Sequence, residues 1–140
     1  MVFKNWYYSQ NRSSIKLKCE KEFGFVYVVK LNFIQGISLL KIGATRDIKT
    51  RLSNFPSRTA KIFCVSIPHL NFFENEQILH EHFKLFRVPS RPHQGSQPEL
   101  FNLSLKDFFN DLPNLNLITD ISKTDVINDP VYGKLYETKK

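Results

Sequence analysis

Residues 23–31 read Phe-Gly-Phe-Val-Tyr-Val-Val-Lys-Leu, a β-branched and aromatic run with the pattern of a buried strand. Turn-forming residues occupy 32–36, and 37–45 (Ile-Ser-Leu-Leu-Lys-Ile-Gly-Ala-Thr) repeats the strand pattern, which predicts an antiparallel hairpin. The period then changes. Ile48, Leu52 and Phe55 fall at i, i+4 and i+7, predicting a helix that Pro56 stops. Thr45 is the expected cap, with Asp47 favourable near the positive end of the helix dipole. A third strand is predicted over 61–67, ended by Pro68. A longer helix follows over about 72–86, with Leu79, Phe83 and Phe86 as its core stripe. Residues 88–98 form a loop by their Pro, Gly and Ser content, and 100–103 can return as a short edge strand. Ser104 then caps a last helix that ends at Pro113.

These elements predict a single α+β domain over 23–112, with a small, mainly antiparallel three-stranded central sheet flanked by helices in the order β-β-α-β-α. Residues 1–22 are polar and basic apart from Trp6, Tyr7 and Tyr8, and read as an N-terminal extension, either an arm or a segment packed on the domain. Residues 113–140 show weak periodicity and read as a tail.

Composition narrows the class. A chain of 140 residues with 41% hydrophobic residues and 13 Phe can bury one core without disulfides. No run of about eighteen apolar residues marks a membrane span, and the N-terminus lacks the apolar stretch of a signal peptide. Cys19 and Cys64 have no metal-ligand spacing and read as free thiols, so an intracellular location is expected.

The net charge of +7 is unevenly placed. Residues 23–73 carry seven basic residues (Lys30, Lys41, Arg46, Lys49, Arg51, Arg58, Lys61) against Asp47 alone, and 1–22 carry five against two. Residues 74–140 carry eight against ten. The first half therefore creates a field attractive to a polyanion, with Arg46, Lys49, Arg58 and Lys61 as candidate phosphate contacts. A solvated basic surface would account for the same charge.

The run Gly-Phe-Val-Tyr-Val-Val-Lys followed by Leu-Lys-Ile-Gly-Ala-Thr-Arg-Asp-Ile-Lys-Thr-Arg-Leu resembles the two-part signature of the GIY-YIG nuclease superfamily. Phe25-Val26-Tyr27 stands at its first triplet and Lys41-Ile42-Gly43 at its second. Arg51 follows Gly43 by eight residues, the spacing of the family's catalytic arginine. Glu76-Gln77-Ile78-Leu79-His80 is similar to the Glu-x-x-x-His helix of the branch common in phages and large DNA viruses. Arg87-Val88 and Glu99-Leu100-Phe101 resemble that branch's closing motif, so the likeness covers roughly 23–112. Two positions depart from the pattern: Phe25 replaces the first glycine, and Lys41 replaces the second tyrosine.

The resemblance implies a divalent-metal-dependent endonuclease acting on nucleic acid, with DNA the expected substrate. Its site would comprise Tyr27, Lys41, Arg51, Glu76 and His80. Glu76 would be the sole protein carboxylate on Mg²⁺ or Mn²⁺, and Arg51 would hold the phosphate in its planar fork. Either Tyr27 or Lys41 would take the proton from water, with His80 assisting. Glu99 would support the site or the fold.

Each residue also has a plainer reading. Tyr27 shares a strand face with Phe25 and Val29 and would be core, Arg51 would pair with Asp47 at i, i+4, and Glu76 and His80 would be a surface pair. An unpaired lysine is costly to bury, so Lys41 lies at an edge or in a cleft. At the level of function, the alternatives are a catalytically inactive nucleic-acid-binding module on the same fold and a protein-interaction domain.

Overall fold

The computed structural model describes residues 6–15, 17–33, 36–88, 100–118, 120–122 and 126–127. The expected hairpin forms from β2 (Phe25–Asn32) and β3 (Ser38–Thr45), with Tyr27 opposite Gly43 and Val29 opposite Lys41. Helix α1 (Ile48–Ser53) follows, and β4 (Ala60–Ser66) returns beside β2. Helix α2 (Phe72–His82), the short strand β5 (Leu100–Phe101) and helix α3 (Leu105–Asp111) complete the α+β domain.

The sheet is wider than the sequence pattern predicts. β1 (Trp6–Ser9) pairs antiparallel with β4, and β6 (Val126–Ile127) lies parallel to β1, so six strands run in the order β5-β3-β2-β4-β1-β6. The N-terminal extension is thus packed on the domain. Trp6 is fully buried among Phe108 and Phe109, edge to face, and its indole N–H donates to the Ile121 carbonyl at 3.1 Å. The same core holds Leu115 and Ile121, so the segment after 113 is in part structural rather than tail. Burying Trp6 and Ile121 is a long-range event that a short strand or a single apolar residue does not announce.

Two cores sit on the two faces of the sheet. On one, Phe25, Tyr27, Val29 and Phe63 pack under Ile48 and Leu52 of α1. On the other, Val26, Val28, Leu40 and Ile42 meet Leu79 of α2, Phe83 at its C-cap and Phe108 of α3. Burial on both faces explains why β2 reads as a continuous apolar run rather than an alternating one.

Two local expectations need correcting. Asp47, not Thr45, caps α1: its carboxylate accepts from the Thr50 N–H at 3.2 Å, while the Thr45 hydroxyl accepts from the Asp47 N–H. Helix α2 ends at His82, and residues Lys84–Phe86 form a 3₁₀ turn that leaves Phe86 exposed outside the core stripe. The loop expected over 88–98 lies outside the described residues beyond 88, as does Glu99. Ser104 caps α3 as expected, accepting from the Asp107 N–H at 3.0 Å. Cys19 and Cys64 are free thiols. Among the described residues no helix is long and apolar enough to cross a membrane.

His69 gives the fold a pH dependence. It is buried, with Nδ1 2.9 Å from the Ile67 carbonyl and, among the described residues, no partner at Nε2. A second proton on Nε2 would therefore be buried without an acceptor, and burial lowers the imidazole pKa. A group whose pKa is lowered on folding stabilises above its unfolded value, and that contribution is lost as pH falls through the folded one. Denaturant unfolding should accordingly show a loss below about pH 6.5 of up to about 1.4 kcal/mol per pH unit. His69→Gln should remove most of that slope. An unchanged slope in the variant would place the acid sensitivity elsewhere.

Candidate active site

Tyr27 lies at the centre of β2, and its ring crosses the neighbouring strand at Gly43, its register partner. A Cβ built on Gly43 would collide with Cζ and Oη of Tyr27, so the glycine is the seat on which the phenol rests. Sequence reasoning placed Gly43 in a motif without giving it a task; a glycine inside an apolar strand pattern was the available signal. Gly43→Ala should cost about 1–3 kcal/mol, the usual range for overpacking. In a Tyr27→Ala background, Gly43→Ala should cost much less than it does alone, because the ring it collides with is gone. Additive destabilisation in thermal unfolding of the two single variants and the double variant would show that the two positions do not press on each other.

Arg51 approaches from α1. Its guanidinium donates to the Tyr27 hydroxyl at 3.1 Å and to the Ala44 carbonyl at 3.4 Å. It makes no ion pair among the described residues, so the expected surface pair with Asp47 does not form. The side chain remains exposed, which leaves an uncompensated positive fork at the surface, anchored at one end by a buried phenol. Burial pushes the Tyr27 phenol above its ordinary range. The hydrogen bond and charge of Arg51 oppose that shift, and the Glu76 carboxylate adds to it. Tyr27 is therefore a neutral hydroxyl at physiological pH.

Glu76 and His80 arrive from the helix on the other face of the sheet. Strand β5 pairs only with Leu40 and Lys41, so among the described residues β3 has no strand partner at its outer edge from 42 onward. There His80 Nε2 sits 2.8 Å from the Ile42 carbonyl, and the ring stands edge to face on Phe101. The Glu76 carboxylate lies one helical turn away, 3.5 Å from the same nitrogen, and both side chains are only partly exposed. A backbone carbonyl as the His80 partner could not be read from side-chain patterns. Beside them opens a cavity of about 660 Å³ lined by Glu76, His80, Glu81, Lys84 and Arg87. Glu81 is engaged by Lys84 at 2.6 Å.

Register also fixes the remaining candidates. Lys41 is opposite Val29, which puts it on the same sheet face as Tyr27 and diagonal to it. Arg46 and Lys49 are exposed on either side of the cap of α1, near Arg51. Arg58 and Lys61 are not gathered with them. They lie where β4 enters the sheet at the Leu31 end, roughly 13 Å along the strands from the Tyr27 level. Lys61 is the extra residue of a β-bulge there, where Lys30 pairs with Ile62 and Leu31 with Ala60.

Among the described residues no group of three His, Cys, Asp or Glu could cage a metal ion. The donor set at the site is one carboxylate with a neighbouring imidazole, beside an open cavity. That fits a hard divalent cation that keeps most of its waters, such as Mg²⁺, and not a closed zinc site.

No curated protein and no solved structure matches the chain. A family does match, over residues 24–112, the span that holds β2 through α3 and every residue of the cluster just described. The chain belongs to the T5orf172 domain family, whose domain occurs in phage and related proteins and is often associated with nuclease-like folds.

Proposed function

We propose that this protein is a divalent-metal-dependent endonuclease of the GIY-YIG type that hydrolyses phosphodiester bonds in DNA. The observation that carries the reading is the Arg51–Tyr27 hydrogen bond, set over Gly43 in the same neighbourhood as Glu76. An exposed arginine with no carboxylate partner among the described residues, oriented by its hydrogen bond to a buried phenol, is suited to a phosphate.

Hydrolysis needs a phosphate held in place, a water oriented for attack, and a group to accept its proton. Arg51 would donate its two forward N–H groups to the non-bridging oxygens, whose charge grows in the transition state. Because the Tyr27 oxygen accepts from Arg51, its own proton is free to be directed elsewhere, and the hydroxyl orients both the arginine and the attacking water. Burial keeps that phenol protonated, so Lys41, on the same face, is assigned as the proton acceptor in its neutral form. His80, tied to the Ile42 carbonyl, positions Glu76 and does not itself touch the substrate. Mg²⁺ or Mn²⁺, held by Glu76 and otherwise by water and phosphate oxygens, would supply charge neutralisation at the phosphate.

Single-turnover cleavage measured against pH tests this assignment. Lys41→Met should be nearly inactive, and the rise of the wild-type rate with pH should vanish with it. Tyr27→Phe should be impaired but measurable. A dead Tyr27→Phe beside a merely impaired Lys41→Met would move the base to Tyr27. Full activity in both variants would contradict the mechanism altogether.

A further inference from the structure

Arg12, Ser13, Ile15, Leu17, Lys18 and Cys19 lie outside the segment that matches the family, yet they form one wall of a groove of about 1000 Å³. The opposite wall is the 46–49 segment that links β3 to α1. The groove is built, not incidental. Arg12 donates to the Leu52 and Phe55 carbonyls, closing the end of α1, and stands over the Phe63 ring. The Cys19 sulfur lies 3.0 Å from the Phe23 carbonyl and 3.4 Å from the Arg46 carbonyl, so it sits where the two walls meet. Ile15 and Ile48 are buried beneath it and Leu17 is half-buried, so the floor is apolar.

The rim is basic. Lys18, Arg46 and Lys49 are exposed around the groove, Arg12 adds a fourth positive charge, and Asp47 is the one acid. Lys18 and Lys49 make no hydrogen bond or ion pair among the described residues. Four cations around an apolar floor on a concave wall complement the extended polyanionic backbone of a nucleic acid, whereas a lipid surface would meet a flat or convex face. The groove also adjoins the site, because the 46–49 segment runs directly into Arg51.

We propose that Arg12, Ser13 and residues 17–19, together with residues 46–49, form a second nucleic-acid contact, which holds the backbone of the DNA flanking the scissile phosphate. This rests on the reading of the chain as a nuclease and adds to it the surface that determines affinity. The extension would act as a clamp outside the family domain, leaving Arg51 and Glu76 to the chemistry.

Lys18→Glu and Lys106→Glu make the same charge change at two places. Lys18 is on the groove, whereas Lys106 is exposed on α3, which packs on the opposite face of the sheet. Equilibrium binding of a 30-base-pair duplex to the full chain, measured from low to moderate salt without metal, separates them. Lys18→Glu should weaken binding by roughly tenfold or more and lower the salt slope by about one to two counter-ions. Lys106→Glu should stay within about threefold of wild type, the effect of a distant screened charge. Equal losses in the two variants would overturn the groove while leaving the nuclease reading intact. No salt-dependent binding by the wild-type protein would overturn both. Thermal unfolding of each variant shows that the fold is kept.

Discussion

Glu76→Ala should abolish cleavage and leave DNA binding essentially unchanged. Glu76 is the acid placed at the β3 edge with His80, whereas Glu81, which lines the same cavity, is engaged by Lys84. Removing a group that stabilises transition-state charge typically costs a hundred- to a thousandfold. For the ligand proposed for a catalytic cation, the loss should sit at or above the top of that range. Binding should survive because the lost group is negative, and a carboxylate near the phosphates opposes association. Glu74→Ala and Glu81→Ala serve as comparisons on the same helix: both side chains are exposed, and Glu81 is engaged by Lys84. Single-turnover rates for all three, with binding measured in the absence of metal, decide the matter. A Glu76→Ala protein that cleaves like wild type would remove the metal-ligand assignment.

Arg51→Lys should lower the single-turnover rate by roughly a hundredfold or more while changing affinity little. Lysine keeps the charge and loses the fork. In the folded protein one branch of that fork is already spent on Tyr27 and Ala44, which sets the plane of the guanidinium before substrate arrives. An ammonium cannot hold the phenol and two phosphate oxygens at once with the same geometry. Overall affinity comes from many positive charges, so one conservative replacement should not weaken it much. Wild-type rates in Arg51→Lys would mean that charge alone suffices, and the bidentate role would be wrong.

The elements legible in the sequence are those whose pattern is local. The β2–β3 hairpin, α1, β4 and α3 follow from runs of a few residues with clear periods and stops such as Pro56 and Pro113. The strands that widen the sheet were not legible, because β1 and β6 are short and gain their stability from partners far along the chain. Trp6 illustrates the point. With Tyr7 and Tyr8 it makes a three-residue aromatic run inside a polar, basic segment, and only pairing of β1 with β4 sends it into the core.

The candidate site divides in the same way. The spacing from Tyr27 through Gly43 to Arg51 is visible in the sequence, and so is the one-turn separation of Glu76 and His80. The contact that unites the first three depends on cross-strand register, and the support of His80 is a backbone carbonyl. Charge was the least reliable guide to position. Arg58 and Lys61 follow Arg51 by only seven and ten residues, yet a turn and a bulge carry them to the far end of the sheet.

The central claim is that one site in this chain hydrolyses the DNA backbone with the help of a divalent cation. Supercoiled plasmid incubated with the purified wild-type protein tests it most directly, with Mg²⁺, with Mn²⁺ and with EDTA in parallel. Relaxed or linear product should form with either cation and none should form with EDTA. Plasmid that is bound but stays supercoiled with both cations would contradict the claim and leave a nucleic-acid-binding module on the same fold.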